Sequence, residues 1–291
     1  MERRKNRIGF LFVLPWLIGL GLFILYPFLT AAARSFTDWP VLGEARGVGG
    51  ENYSDLARDP IFWGSLKVVL LYAAFSIPLG VLLALSVSIA LSAARRGVSI
   101  YRAIFYLPQL VPTVVVAILW MWLFNSKFGL VNGLLRTVGL AGPTWLASTR
   151  WALWVFVFMS LWQVGQMTII YLAKIQDVPQ ELYEAAELDG AGFFGKLRHV
   201  TLPQISPIIL FNVIMAIIAA FQVFTEPYIM TGGDPERSTY FLPLYIWDLA
   251  FQEYRMGYAC AVALVLFLII LGLTLLALRV ARGRVYYAGR E

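Results

Sequence analysis

The octapeptide Gly190-Ala191-Gly192-Phe193-Phe194-Gly195-Lys196-Leu197 satisfies two nucleotide-binding patterns at once, G-x-G-x-x-G and G-x-x-x-x-G-K. In a phosphate loop a strand delivers a glycine turn whose amides point at the phosphates, the lysine reaches them, and the next Ser or Thr hydroxyl holds magnesium. Leu197 stands at that hydroxyl position. A dinucleotide fold needs a strand before the first glycine and an acid about 20 residues on, within an α/β unit. What precedes here is the strong helix former Glu181-Leu-Tyr-Glu-Ala-Ala-Glu-Leu188, and an apolar run follows within ten residues. The glycines therefore read as a turn between helices. Few other residues offer chemistry. His199, the single histidine, lies beside Arg198 and near Lys196, which predicts neither a metal site nor a proton relay. Cys260, the single cysteine, permits no intrachain disulfide and reads as a small core residue. An enzyme is not expected from that inventory. What remains is a set of amides inside apolar runs, Gln163, Gln166, Asn212 and Gln222, with Glu226 read as interfacial at the end of one run. Polar side chains in lipid are costly and face a cavity or a partner helix. Gln163 and Gln166, three apart, predict one helix face.

The elements that must hold these residues are membrane spans. Of 291 residues, 60% are apolar and only 14% charged, against roughly a quarter charged in soluble domains. The net charge of +6 sits in short clusters between apolar runs, which speaks for membrane topology and against a nucleic-acid partner. A bilayer core needs roughly 20 apolar residues as helix. Six stretches meet that length, near 8–33, 63–92, 100–124, 151–173, 204–225 and 257–279. The first follows a basic segment like a signal peptide, but its apolar run exceeds an h-region of about 7 to 15 residues, so it is kept as an uncleaved helix. Fourteen of the 23 Lys and Arg residues fall on the side holding both termini and nine on the other, so both termini are expected in the cytoplasm. The opposite loops, 34–62 and 226–256, read as ordered connectors. Asn52-Tyr53-Ser54 matches a glycosylation acceptor, a pattern common by chance.

Residues 177–203 then form a cytoplasmic helix, turn and helix. Pro179 is placed near the start of the first helix, with Asp177, Glu181 and Glu184 suited to its dipole. Asp189-Gly190 makes the turn, Gly192 and Gly195 loosen the second helix, and Pro203 is expected to end it. Leu182, Ala185, Ala186 and Phe193 leave an apolar side that either lies on the membrane or fits a groove on a cytoplasmic partner.

Glu184-Ala185-Ala186-x-x-x-Gly190 followed by Thr201-Leu202-Pro203 resembles the EAA loop of binding-protein-dependent ABC importer permeases, in particular the maltose-type carbohydrate branch. The resemblance covers nearly the whole chain: Tyr26-Pro27 with Ser35-Phe36-Thr37-Asp38-Trp39, Asn52-Tyr53 with Asp59-Pro60-x-Phe62, Tyr106-Leu107-Pro108 with Pro112, Trp120-x-Trp122 with Gly129 to Gly133, Thr231-Gly232-Gly233, and Gly257 to Ala261. The family's Gly-Gly-Pro is here Gly232-Gly233-Asp234-Pro235. The opening and the Thr-Gly-Gly loop resemble the first of two unlike permeases.

The resemblance implies an all-α membrane protein with six transmembrane helices in the type I ABC importer permease fold, carrying a cytoplasmic EAA coupling hairpin at 177–203. It divides the chain into a tail at 1–7, a first helix and outer loop at 8–62, a permease core at 63–279 and a tail at 280–291, in the cytoplasmic membrane of a bacterium or archaeon. It implies four partners: a second permease, an ATP-binding subunit dimer that uses ATP and Mg, an extracytoplasmic solute-binding protein, and lipid. No cofactor is expected in this chain. The cargo would be a di- or oligosaccharide or a glycerol-3-phosphate-like polyol. Glu184, Ala185, Ala186, Asp189, Gly190, Leu202 and Pro203 would couple to the ATPase, Glu184 through a partner arginine. The path would run past Trp162, Gln163, Gln166, Asn212, Phe221 and Gln222, the two aromatics stacking on a sugar ring. An ion-coupled secondary transporter is the rival, and it would ordinarily need mid-span acids that are missing here.

Overall fold

The computed structural model describes residues 12–40, 43–93, 97–283 and 285–286. The tail 1–7, the start of the first span, and Arg95, Arg96, Arg284 and Arg290, which enter the charge count above, lie outside the described residues. The helices are α1 (Phe12–Arg34), α2 (Glu51–Arg58), α3 (Pro60–Ala93), α4 (Val98–Leu110), α5 (Thr113–Leu123), α6 (Leu130–Thr137), α7 (Ala152–Trp162), α8 (Gly165–Gln176), α9 (Gln180–Leu188), α10 (193–220), α11 (Thr225–Met230), α12 (Leu242–Phe251) and α13 (Met256–Ala281). Besides helices, the described residues form a two-residue ribbon, Thr37–Asp38 paired antiparallel with Arg46–Gly47, and an isolated bridge between Pro40 and Arg255.

α1, α3, α13 and the stretch Phe193–Met230 are long and apolar enough to cross a membrane. Two bent pairs, each counted as one broken span, give up to six crossings: α4 with α5, turned by 98°, and α7 with α8, turned by 40°. The predicted single helices at 100–124 and 151–173 are thus broken. At the first break Pro112 supplies no amide and holds Val111 extended, at φ −80° and ψ 128°. At the second, Gln163 and Val164 leave helical geometry. Lipid-facing surface accounts for the many exposed large apolar side chains, such as Phe12, Trp16 and Phe23 on α1.

Contacts divide the chain into two units, Met1–Phe62 with Tyr245–Leu268, and Trp63–Leu244 with Ile269–Glu291. In the first, buried Asn52 donates from Nδ2 to the carbonyls of Ser35 (2.8 Å) and Thr37 (3.1 Å). That engagement overturns the glycosylation match, since the acceptor amide is buried and committed. A Cβ on Gly257 would fall on the Thr37 carbonyl oxygen, which explains glycine there. Asp59 starts α3 as its cap: Oδ1 accepts from the Ile61 amide at 2.8 Å, and Pro60 occupies the first helical position. Its Oδ2 accepts from the hydroxyls of Tyr258 (2.8 Å) and Tyr245.

In the second unit, lipid gives helices no hydrophobic reason to associate, so close approach and interhelical hydrogen bonds must do it. Ser88 Oγ on α3 donates to the Thr168 carbonyl of α8 at 2.8 Å. Buried Ala84, Val164 and Tyr171 pack around that crossing. α4 crosses α8 at Gly165, where a Cβ would overlap the Phe105 carbonyl oxygen. Gly165→Ala is therefore expected to destabilise the chain by about 1–3 kcal/mol. A lower thermal midpoint in detergent would show it, and an unchanged midpoint would refute the close crossing.

Candidate functional site

The second unit holds a cavity of about 560 Å³. α3 contributes Tyr72, Ser76 and Gly80, and α10 contributes Asn212, Met215 and Ala219. Three further polar residues come from the places where helices break. Gln109 lies in the 3-10 turn before Pro112, Gln163 in the break between α7 and α8, and Gln222 in the break between α10 and α11. Irregular backbone inside a membrane protein is tolerated where it lines a cavity, and each break carries one glutamine to that lining.

Gln163, Gln166, Asn212 and Gln222 all line the cavity. Gln163 does so from the break and Gln166 from α8, so the single-face reading is corrected. Trp162 is not in the lining; it is half exposed and tilts against Trp120 at 6.2 Å between centroids. Phe221 is buried and also outside the lining. Asn212 is buried on α10, facing the wall that also holds Gln163 and Gln166. Sequence reasoning missed Gln109, Thr113, Ser160 and the cavity position of Glu226. A lone amide beside Pro108 in an apolar run was a signal for the first.

The second site is the 177–203 hairpin. Helix α9 ends in a Schellman turn: the Gly190 amide donates to Glu187 O at 2.9 Å, and the Ala191 amide to Ala186 O at 2.8 Å. Gly190 sits at φ +80°, and a Cβ there would meet nothing within 4 Å, so glycine is needed for backbone geometry rather than for room within this chain. Asp189 is the preceding cap residue. Lys196 Nζ and Glu187 Oε1 close the hairpin at 2.6 Å. Tyr183 turns inward, its hydroxyl 3.1 Å from Thr201 Oγ1. Glu181, Glu184, Ala185 and Leu188 lie exposed on the other side, Leu188 at 90%. Pro179 caps α9 one residue before its first turn rather than at N1.

Pro203 does not end the second arm. From Phe193 the helix passes through a π turn at Leu197–Thr201 and continues as Leu202–Ala220, with Pro207 inside it. The wider turn relieves the missing amide and ring clash of Pro203. Leu202 and Pro203 are accordingly part of one helix that runs from the hairpin to Asn212, about 1.5 Å per residue.

The family described as binding-protein-dependent transport system inner membrane component matches residues 76–284. The chain is 34% identical to the probable ABC transporter permease protein YesP of Bacillus subtilis, over 99% of this chain and 95% of that protein. It is 32% identical to the trehalose/maltose transport system permease protein MalF of Thermococcus litoralis, over 98% and 97% respectively. A chain from the crystal structure of a bacterial ABC transporter involved in the import of the acidic polysaccharide alginate shares the fold, with a TM-score of 0.83 over 97% of each chain at 24% identity.

Proposed function

We propose the cargo and the working partners of this chain, which belongs to the family of binding-protein-dependent transport system inner membrane components and is the transmembrane permease subunit of an ABC importer for carbohydrates. The cargo is a di- or oligosaccharide handed over by an extracytoplasmic binding protein. With a second, unlike permease the chain forms the path. Both termini and the 177–203 hairpin face the cytoplasm, where the hairpin seats in an ATPase dimer that uses ATP and Mg.

The observation that carries this reading is one continuous helix, α10, with the exposed hairpin at one end and the cavity amide Asn212 at the other. Movement imposed on the hairpin passes along α10, through its π turn and past Pro207, to the cavity wall. A ring of amides and hydroxyls in an apolar setting suits the dense hydroxyls of a sugar.

The test is reconstitution of the assembled transporter in vesicles loaded with ATP and Mg. Uptake of labelled neutral oligosaccharides is expected only with ATP inside and the binding protein outside. Uptake driven by an ion gradient without ATP would sink the reading in favour of a secondary transporter. So would ATP hydrolysis by this chain alone.

A further inference from the structure

Within the cavity one residue stands apart. Among the described residues that line it, Glu226 is the only carboxylate, and no lysine, arginine or histidine accompanies it. It takes part in neither of the two ion pairs among the described residues. It lies in the first turn of α11, next to the break that carries Gln222 to the wall. Tyr72, Ser76 and Ser160 line the same cavity. The rest of the lining is amide, hydroxyl and hydrocarbon.

We infer that Glu226 is the charge-selecting residue of this path, admitting carbohydrates without negative charge and rejecting those that carry carboxylate, sulfonate or phosphate. This rests on the carbohydrate reading above. The argument is electrostatic. A carboxylate set in a cavity without a cation accepts hydrogen bonds from uncharged hydroxyls and attracts an amino group. An anionic cargo would bring a second negative charge into the same low-dielectric space, where like charges repel far more strongly than in water. The amides are indifferent to the sign of the cargo, since each presents both a donor and an acceptor. Selection by charge therefore has one source on this wall. The glycerol-3-phosphate-like polyols expected above fall on the rejected side.

The experiment uses the assembled transporter with its binding protein in ATP-loaded vesicles. Uptake of a panel of neutral oligosaccharides is compared with uptake of uronic-acid oligomers of matched length, for wild type, Glu226→Gln and Glu226→Asp. The readout is the neutral-to-acidic uptake ratio. The same binding protein serves all three, so its own preference cancels between variants. Wild type is expected to favour neutral cargo, the Gln variant to lower that ratio on the order of tenfold, and the Asp variant, which keeps the charge, to hold it. Acidic oligomers taken up by wild type as readily as neutral ones would overturn the inference and leave the carbohydrate reading standing. An identical ratio in wild type and the Gln variant would do the same. Failure of every oligosaccharide with wild type would overturn the carbohydrate reading and this inference with it.

Discussion

In vesicles holding the complete transporter, Glu184→Lys combined with Gly190→Asp is expected to cut ATP-driven uptake about a hundredfold, the scale of breaking a buried charge pair at an interface. Glu184 is exposed on α9, so charge reversal alone is expected to shift the stability of this chain by no more than about 0.5 kcal/mol. Gly190→Asp puts a side chain on a residue at φ +80°, which costs about 1–2 kcal/mol and loosens the Schellman turn. The two changes act on different properties of one knob, its charge and the rigidity of its tip. Uptake should collapse while the thermal midpoint of the purified chain moves little. Full coupled uptake in the double variant would refute the assignment of the hairpin to the ATPase.

The helices were legible because lipid imposes a crude rule: apolar runs near 8–33, 63–92 and 257–279 correspond to Phe12–Arg34, Pro60–Ala93 and Met256–Ala281. The breaks inside spans were not, because an interrupted helix stays apolar on both sides of its interruption. Proline was an ambiguous guide. Pro112 accompanies a 98° turn, whereas Pro203 and Pro207 lie in a helix that continues past both. A π turn at Leu197–Thr201, an adjustment with no compositional signature, precedes Pro203. This is also why the four amides line the cavity and the two aromatics do not. A lone amide in an apolar run must find a polar surface wherever the backbone turns, so Gln163, Gln166, Asn212 and Gln222 lie on the cavity. Trp162 and Phe221 carry no such obligation, and their direction depends on the geometry of the break beside each of them. The hairpin turn was readable for a local reason: Asp-Gly after a helix former leaves glycine as the residue that takes positive φ at no steric cost.

The first unit should depend most on Asp59. Its carboxylate closes three elements at once, capping α3 and accepting hydroxyls from α12 and α13. Partial burial raises its pKa, but the hydrogen bonds from Tyr245, Tyr258 and the α3 amides outweigh that and hold it below the ordinary value of 3.8. Asp59→Ala removes a cap worth about 1 kcal/mol and strips two tyrosine hydroxyls of their acceptor, so a loss of about 3 kcal/mol is expected. The pH dependence gives the cleaner reading. Because the folded carboxyl holds its proton less tightly than the unfolded one, its contribution is fully present above pH 3.8 and is lost as the pH falls through the lower folded value. Asn at this position keeps cap geometry but does not titrate. The midpoint difference between wild type and Asp59→Asn should therefore be largest near neutral pH and shrink on acidification below that point. Tyr258→Phe and Tyr245→Phe, each removing one donor, should lose stability in wild type and far less in the Asn background, since the charge they serve is gone. A wild-type to Asn difference that stays constant across that acid range would mean the carboxylate is not the tie between these helices, and the cap alone would remain as its role.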